Sequence, residues 1–184
     1  MGYINITDIA FESSTDPVAA PFRLRIKQDC LKELGCELEW RFIYVGDPQN
    51  SRHDQVLDAI TLDRLEYGPN EFEWEVPPPD YAKIPNEHDV FDSSIVVLLA
   101  LVDNREFFRC SYLIAHEYVD PDLRENPPEE TLWAQLQRRI RVDNPVIKIQ
   151  PIAWEELAAP GAGEQGLQAV TDPALKSFDL LADN

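Results

Sequence analysis

The stretch from Ser93 to His116, SSIVVLLALVDNREFFRCSYLIAH, constrains the fold more than any other. Between Ser94 and Val102 both phases of a two-residue alternation are apolar. One phase holds Ile95, Val97, Leu99 and Leu101; the other holds Val96, Leu98, Ala100 and Val102. A strand of that kind is buried on both faces, or buries one and offers the other to a partner. Asp103-Asn104 tolerate positive φ and suit a tight hairpin turn. The return strand, Glu106 to Ile114, carries a lone cation, Arg109, amid aromatic and aliphatic residues. A guanidinium between apolar strands needs an anionic or carbonyl partner.

Alternating segments recur along the chain. Tyr3 to Ile9 is a weak strand. Phe22, Leu24 and Ile26 alternate with Arg23, Arg25 and Lys27; Leu38, Trp40, Phe42 and Tyr44 alternate with Glu37, Glu39, Arg41 and Ile43. Asp54 to Leu62, Glu71 to Val76 and Val146 to Ile152 follow the same rule, and Pro77-Pro78-Pro79 closes one of them. Leu31 to Gly35 reads as one helical turn. Leu132, Leu136 and Ile140 share a helix face, so Thr131 to Ile140 reads as a helix capped by Thr131. Asp120 to Pro128 is acidic and punctuated by Pro121 and Pro127-Pro128. Many short strands with little helix predict an all-β sandwich of antiparallel strands with short helices in its loops. The expected division is a domain over residues 1–155 and an acidic, flexible tail over 156–184, where Gly161, Gly163 and Gly166 cluster.

Composition narrows the function. Sixteen Lys and Arg against 34 Asp and Glu give a net charge of −18, which repels nucleic-acid phosphates and anionic membranes and favours a cationic partner. The N-terminus has no basic segment leading into an apolar run, and no run approaches the ~20 residues of a membrane span, so a soluble intracellular protein is expected. Cys30, Cys36 and Cys110 lack CxxC spacing, which favours free thiols, with Cys30 and Cys110 as core residues. His53, His88 and His116 each precede an acid, yet none shows HxH or HExxH spacing; exposed loop or strand-end positions are expected. There is no GxSxG and no phosphate-binding glycine loop, so no catalytic residue, metal or cofactor is assigned.

A binding module remains. Val45, Asp54, Asp89, Ile95, Val97 and Arg109 offer an apolar centre, an acidic rim and one cation, a composition that suits a basic amphipathic helix laid on a sheet. The competing reading makes Ile95 and Val97 core and the two acids solvated loop residues.

LEWRFIYVG (Leu38 to Gly46) followed by DQVLD (Asp54 to Asp58) closely resembles the anti-silencing function family of histone chaperones. Ile84-Pro85, REFFR (Arg105 to Arg109), LRENPP (Leu123 to Pro128), LQRRI (Leu136 to Ile140), Asn144-Pro145 and IAWE (Ile152 to Glu155) resemble it in the same order. The resemblance implies an immunoglobulin-like sandwich, monomeric and non-enzymatic, that works in the nucleus with a cytosolic pool. It implies binding of one histone H3–H4 dimer, so that a second dimer is excluded, and a role in nucleosome assembly and disassembly. Carried over, the H3 face is Val45, Asp54, Asp89, Ile95, Val97, Arg109 and Leu113. The H4 tail adds a strand along Pro145, Val146, Ile147 and Ile149, with an apolar pocket near Pro145 and Ile147. Downstream chaperones with B-domain peptides meet Glu37, Asp58, Ile60 and Leu62. The chain departs from the family pattern at Cys36, where one acid of a pair is missing, and at Ser93, Leu113 and Val146, where an apolar residue, a tyrosine and an arginine are usual. An adaptor that binds non-histone peptides by edge-strand addition is the alternative.

Overall fold

The computed structural model describes residues 2–47, 50–63, 65–84, 90–91 and 93–157. Of the tail expected over 156–184, residues 158–184 lie outside the described residues, as do His88 and Asp89, while Glu156 and Leu157 belong to a 3-10 turn. Two antiparallel sheets face each other. The smaller consists of β1 (Ile4–Phe11), β3 (Phe22–Cys30) and β6 (Gly68–Val76), in the order β1-β3-β6. The larger holds β2 (Thr15–Pro17), β9 (Leu136–Ile140), β8 (Arg105–Tyr118), β7 (Ser94–Val102), β4 (Leu38–Val45) and β5 (Gln55–Leu62) in that spatial order, and β10 (Val146–Ile149) also pairs with β8. The hairpin turn sits at Asp103-Asn104, with φ of 51° and 57°, the left-handed values that a tight two-residue turn needs.

The core is built from the inward phase of each strand. Phe22, Leu24, Ile26, Trp74 and Val76 of the small sheet meet Leu38, Trp40, Phe42 and Tyr44 and the even-numbered residues of β7. Aromatic rings interlock between the sheets: Phe42 stands edge-on to Trp74 with centroids 6.0 Å apart and packs on Phe22 at 5.0 Å. Such edge contacts add to area burial. Cys30 and Cys110 are buried and free.

Two local expectations fail, and one connection holds a short helix of the kind expected in the loops. Leu31 to Gly35 forms no helical turn; its amides go elsewhere, Leu31 N–H to the Tyr3 carbonyl and Gly35 N–H to that of Leu157. Asp120 to Pro128 contains a five-residue helix, α1 (Pro121–Glu125), capped by the Asp120 side chain and opened by Pro121 at its first position. The helix expected over Thr131 to Ile140 is instead a 3-10 turn at Trp133–Gln135, with no side-chain cap, followed by strand β9. A spacing of four satisfies a strand as well as a helix. Between Leu136 and Ile140 on the buried side of β9 lies Arg138, almost fully enclosed.

That guanidinium has no carboxylate in hydrogen-bond contact; its two terminal nitrogens are partnered by carbonyls and its buried Nε is left without a partner among the described residues. It donates to the carbonyls of Val18 (3.2 Å), Ala20 (2.6 Å) and Pro21 (2.8 Å), and lies 3.7 Å from the centroid of the Phe22 ring. It pins the β2–β3 connection to the larger sheet. Nearby, His116 is buried, contrary to the exposed position expected, with Nε2 3.2 Å from the Tyr81 hydroxyl. Burial holds its imidazole neutral and pushes its pKa down to about 4, with Arg138 adding to the effect.

Replacing Arg138 with Met should cost about 3 kcal/mol, because buried carbonyls lose their donors; an unchanged urea midpoint would refute the bracing role. Unfolded His116 takes a proton near pH 6.5, the folded residue only near 4. The unfolded state therefore binds more protons between those values. Stability from this group is complete above about pH 6.5 and falls by ~3 kcal/mol as pH drops toward 4. His116→Gln should flatten that limb of the stability–pH curve; identical curves for both proteins would contradict it.

Candidate functional site

The two phases of β7 have different fates. Val96, Leu98, Ala100 and Val102 enter the main core. Val97, Leu99 and Leu101 form a separate cluster with Ile43, Val45 and Ile95 on the outer face of the larger sheet. Ile95 is half-buried there and lies outside the main core. Directly opposed residues on neighbouring strands share a face, so the pairing register lays this surface out in rows.

The first row is Val45, Ile95 and Leu113, across β4, β7 and β8. Leu113 is 40% exposed. The second row is Val56, Ile43, Val97, Ser111 and Val146, across β5, β4, β7, β8 and β10. Val97 is almost covered and forms the floor, while Val56 and Val146 at the ends stand exposed at 61% and 68%. The third row is Arg41, Leu99, Arg109 and Lys148, and the fourth sets Glu39 and Glu106 on either side of Leu101. Each arginine is clasped by the glutamate beside it. Arg41 meets Glu39 at 2.5 and 2.9 Å, and Arg109 meets Glu106 at 2.8 Å through both Nε and Nη2. Arg109 thus has its anionic partner within its own hairpin. Its bond holds the Glu106 carboxyl below the usual range, with Lys148 contributing.

Asp54 ends a 3-10 turn (Ser51–His53) just before β5 and is exposed. Its pKa is raised, first by partial burial and then by the like charge of Asp47, with His53 opposing. Asp47, two residues past Val45, was not singled out from sequence. Neither was Ile43 as an outer-face residue, whereas Leu99 and Leu101 belong to the Ile95 phase that the sequence offered as a possible partner face. A signal for Ile43 existed. It and Val45 are apolar in the phase that Glu37, Glu39 and Arg41 make polar.

The remaining expected site residues separate into two regions. In β10, Val146 and Lys148 share the outer face with Ser111 and Arg109, whereas Ile147 and Ile149 pair with Cys110 and Phe108 on the other side. All four β10 residues are exposed and Pro145 is half-buried; among the described residues no strand pairs with the far edge of β10. A hollow of about 310 Å³ lies past the Ile149 end, lined by Gly2, Ile4, Phe107, Ile149, Ile152 and Trp154. On β5, Asp58, Ile60 and Leu62 oppose Phe42, Trp40 and Leu38, on the inward side. Ile60 and Leu62 pack partly buried against the main core. The Asp58 carboxylate accepts the Trp74 indole N–H at 2.8 Å, tying the two sheets together where β5 and β6 form their outer strands. Glu37 is exposed at the entry to β4. Among the described residues no group of His, Cys, Asp or Glu is arranged to hold a metal ion.

The outer face thus combines an apolar floor with charged groups at its ends. The family model for ASF1-like histone chaperones matches residues 1–155. The chain belongs to that family. It is 34% identical over 154 residues to histone chaperone asf1 of Dictyostelium discoideum, covering 84% of this chain and 99% of that one. Histone chaperone asf1 of Drosophila melanogaster is 35% identical over 155 residues, covering 84% and 71%. Human histone chaperone ASF1B is 32% identical over 155 residues, covering 84% and 76%. Membership makes this a histone chaperone, a protein of histone binding and chromatin assembly from a non-enzymatic family. Across the end of the family match, Trp154–Leu157 forms a 3-10 turn with Trp154 and Leu157 buried, and Arg105 reaches Glu156 at 2.8 Å.

Asp58→Ala should cost about 1–2 kcal/mol, because the Trp74 N–H is left without its acceptor, while Asp58→Asn should cost much less. Equal thermal midpoints for the alanine variant and wild type would show that the inter-sheet bond contributes nothing.

Proposed function

We propose that this chaperone binds one histone H3–H4 dimer and covers the H3 surface through which two dimers join. The carrying observation is the uncovered row of Val45, Ile95 and Leu113, set between the acidic end at Asp54 and the basic end at Arg109. Val97 supplies the floor. Asp54, with Asp89 expected beside it, faces histone lysines or arginines, and Arg109 takes a histone carboxylate beside Glu106. A net charge of −18 draws a basic partner in from a distance.

The free edge of β10, through Pro145, Val146, Ile147 and Ile149, accepts the H4 C-terminal tail as an added strand, where main-chain hydrogen bonds supply much of the contact. The B-domain peptides of downstream chaperones meet the open side of the sandwich at Glu37, Ile60 and Leu62, with Asp58 at its base. Separate faces let histones be held and handed on during nucleosome assembly and disassembly. The protein acts as a monomer in the nucleus, with a cytosolic pool. Residues 1–155 are the binding domain and 156–184 its acidic tail. A non-histone adaptor would use the β10 edge and leave the outer face idle; co-purification with recombinant H3–H4 separates the two.

Ile95→Arg should weaken H3–H4 binding by at least thirtyfold, about 2 kcal/mol or more, since it sets a guanidinium at the centre of an apolar contact. The domain should stay folded, because a half-buried outer-face position lets the charged head reach water. Wild-type affinity together with a wild-type thermal midpoint would exclude Ile95 from the interface.

A further inference from the structure

The third row of the outer face holds one more cation than its neighbours neutralise. Arg41 is matched by Glu39 and Arg109 by Glu106, each through two hydrogen bonds. Lys148 is the direct cross-strand partner of Arg109 and is exposed. No ion pair to it is found among the described residues. Opposed residues on an antiparallel pair stand about 5 Å apart at Cβ, so ammonium and guanidinium project side by side. Glu106 is already engaged by Arg109 through two hydrogen bonds and accepts a third, at 3.0 Å, from the Gln150 side chain. Two cations and one saturated carboxylate leave a local positive spot on a strongly acidic chain. The opposite end of the same face carries Asp47 and Asp54. The surface is therefore polarised along β7.

We propose that Lys148 is a specificity residue of this face, sharing with Arg109 a carboxylate of the docked partner. The inference rests on the histone reading above and adds a residue to it. A carboxylate landing between the two cations takes one hydrogen bond from each and completes an alternating set of two acids and two bases. The partner must then present an acidic side chain at the Leu99 end and basic side chains at the Asp54 end. A helix laid the other way round would set like charges together at both ends. Lys148 thus fixes direction as well as adding contact.

The test compares wild type, Lys148→Met, Lys148→Glu and Lys27→Glu for binding to recombinant H3–H4 dimer, at low and high salt. Lys27 lies on the small sheet beside Glu71, at 3.5 Å, and controls for the change in total charge. Lys148→Met should weaken binding two- to fivefold, as expected for an exposed pair, and Lys148→Glu about tenfold. Both losses should shrink in high salt, and the thermal midpoint should not move. Lys27→Glu should change affinity less than twofold. In an Arg109→Ala background the Lys148→Met loss should fall, because the two cations serve one carboxylate. Binding by wild type with no loss in Lys148→Glu, or a loss matched by Lys27→Glu, overturns this inference alone. No binding by wild type overturns the histone reading and this inference with it.

Discussion

Everything in this molecule depends on how β7 divides its two apolar faces. The even-numbered residues close the main core against the small sheet, and that burial holds the two layers together. Among the described residues no second layer covers the odd-numbered ones. Val97, Leu99 and Leu101 are covered almost wholly by their neighbours on β4 and β8, and only Ile95 is left half-open at the end of the row. A central strand of a curled sheet can reach that state because adjacent side chains stand over it. The outcome is a face that tolerates water when empty and still has apolar area to gain when covered. A strand with polar residues in the odd phase would make the same sandwich without that apolar face.

The polar groups inside the fold follow a complementary rule. Arg138 is enclosed without a carboxylate in hydrogen-bond contact, so its terminal nitrogens are spent on the carbonyls of Val18, Ala20 and Pro21, which would otherwise lack ladder partners. Asp58 is placed at the margin of the core and spends one oxygen on Trp74. Both are architectural before they are anything else. Arg41 and Arg109 stay outside and each holds a glutamate at short range. Exposed pairs of this sort contribute little to stability. Their stronger effect is to fix the side chains in place before a partner arrives, which lowers the cost of ordering on binding.

The legibility of these features in the sequence followed the periods involved. The hairpin of β7 and β8 was readable because Asp103-Asn104 sits between two apolar runs, and both residues take positive φ. β3, β4 and β6 were readable from clean alternation. β9 was not, because Leu132, Leu136 and Ile140 fit periods of both two and four, and Arg138 in the buried phase argued against a strand. Nothing local marks an arginine whose partners lie over a hundred residues away. His116 was misplaced for the same reason: its cover comes from Tyr81 and from β9. The outer face was half legible. Ile95, Val97 and Arg109 stood out by type, but the facing of Val146 and Lys148 depends on the register of β10 against β8, which no single strand encodes.

Register also explains how one face and one edge can act together. β10 takes over the edge of β8 where β9 leaves it, so the free edge begins one strand away from the Ile95 row. In the proposed complex a partner helix on the outer face and an extended segment along β10 would be neighbours, and a single sheet would position both. Two attachments on one body act at high effective concentration, so each can be weak while the pair holds. Weak separate contacts matter for a chaperone. Either one can be peeled away first, by competition for the edge or for the apolar row, and the remaining contact then dissociates at its own faster rate. Holding and releasing are thereby reconciled without any bond being made or broken. The physical requirement is only that the apolar row and the open edge belong to the same sheet, and β8 satisfies it by pairing with both β7 and β10.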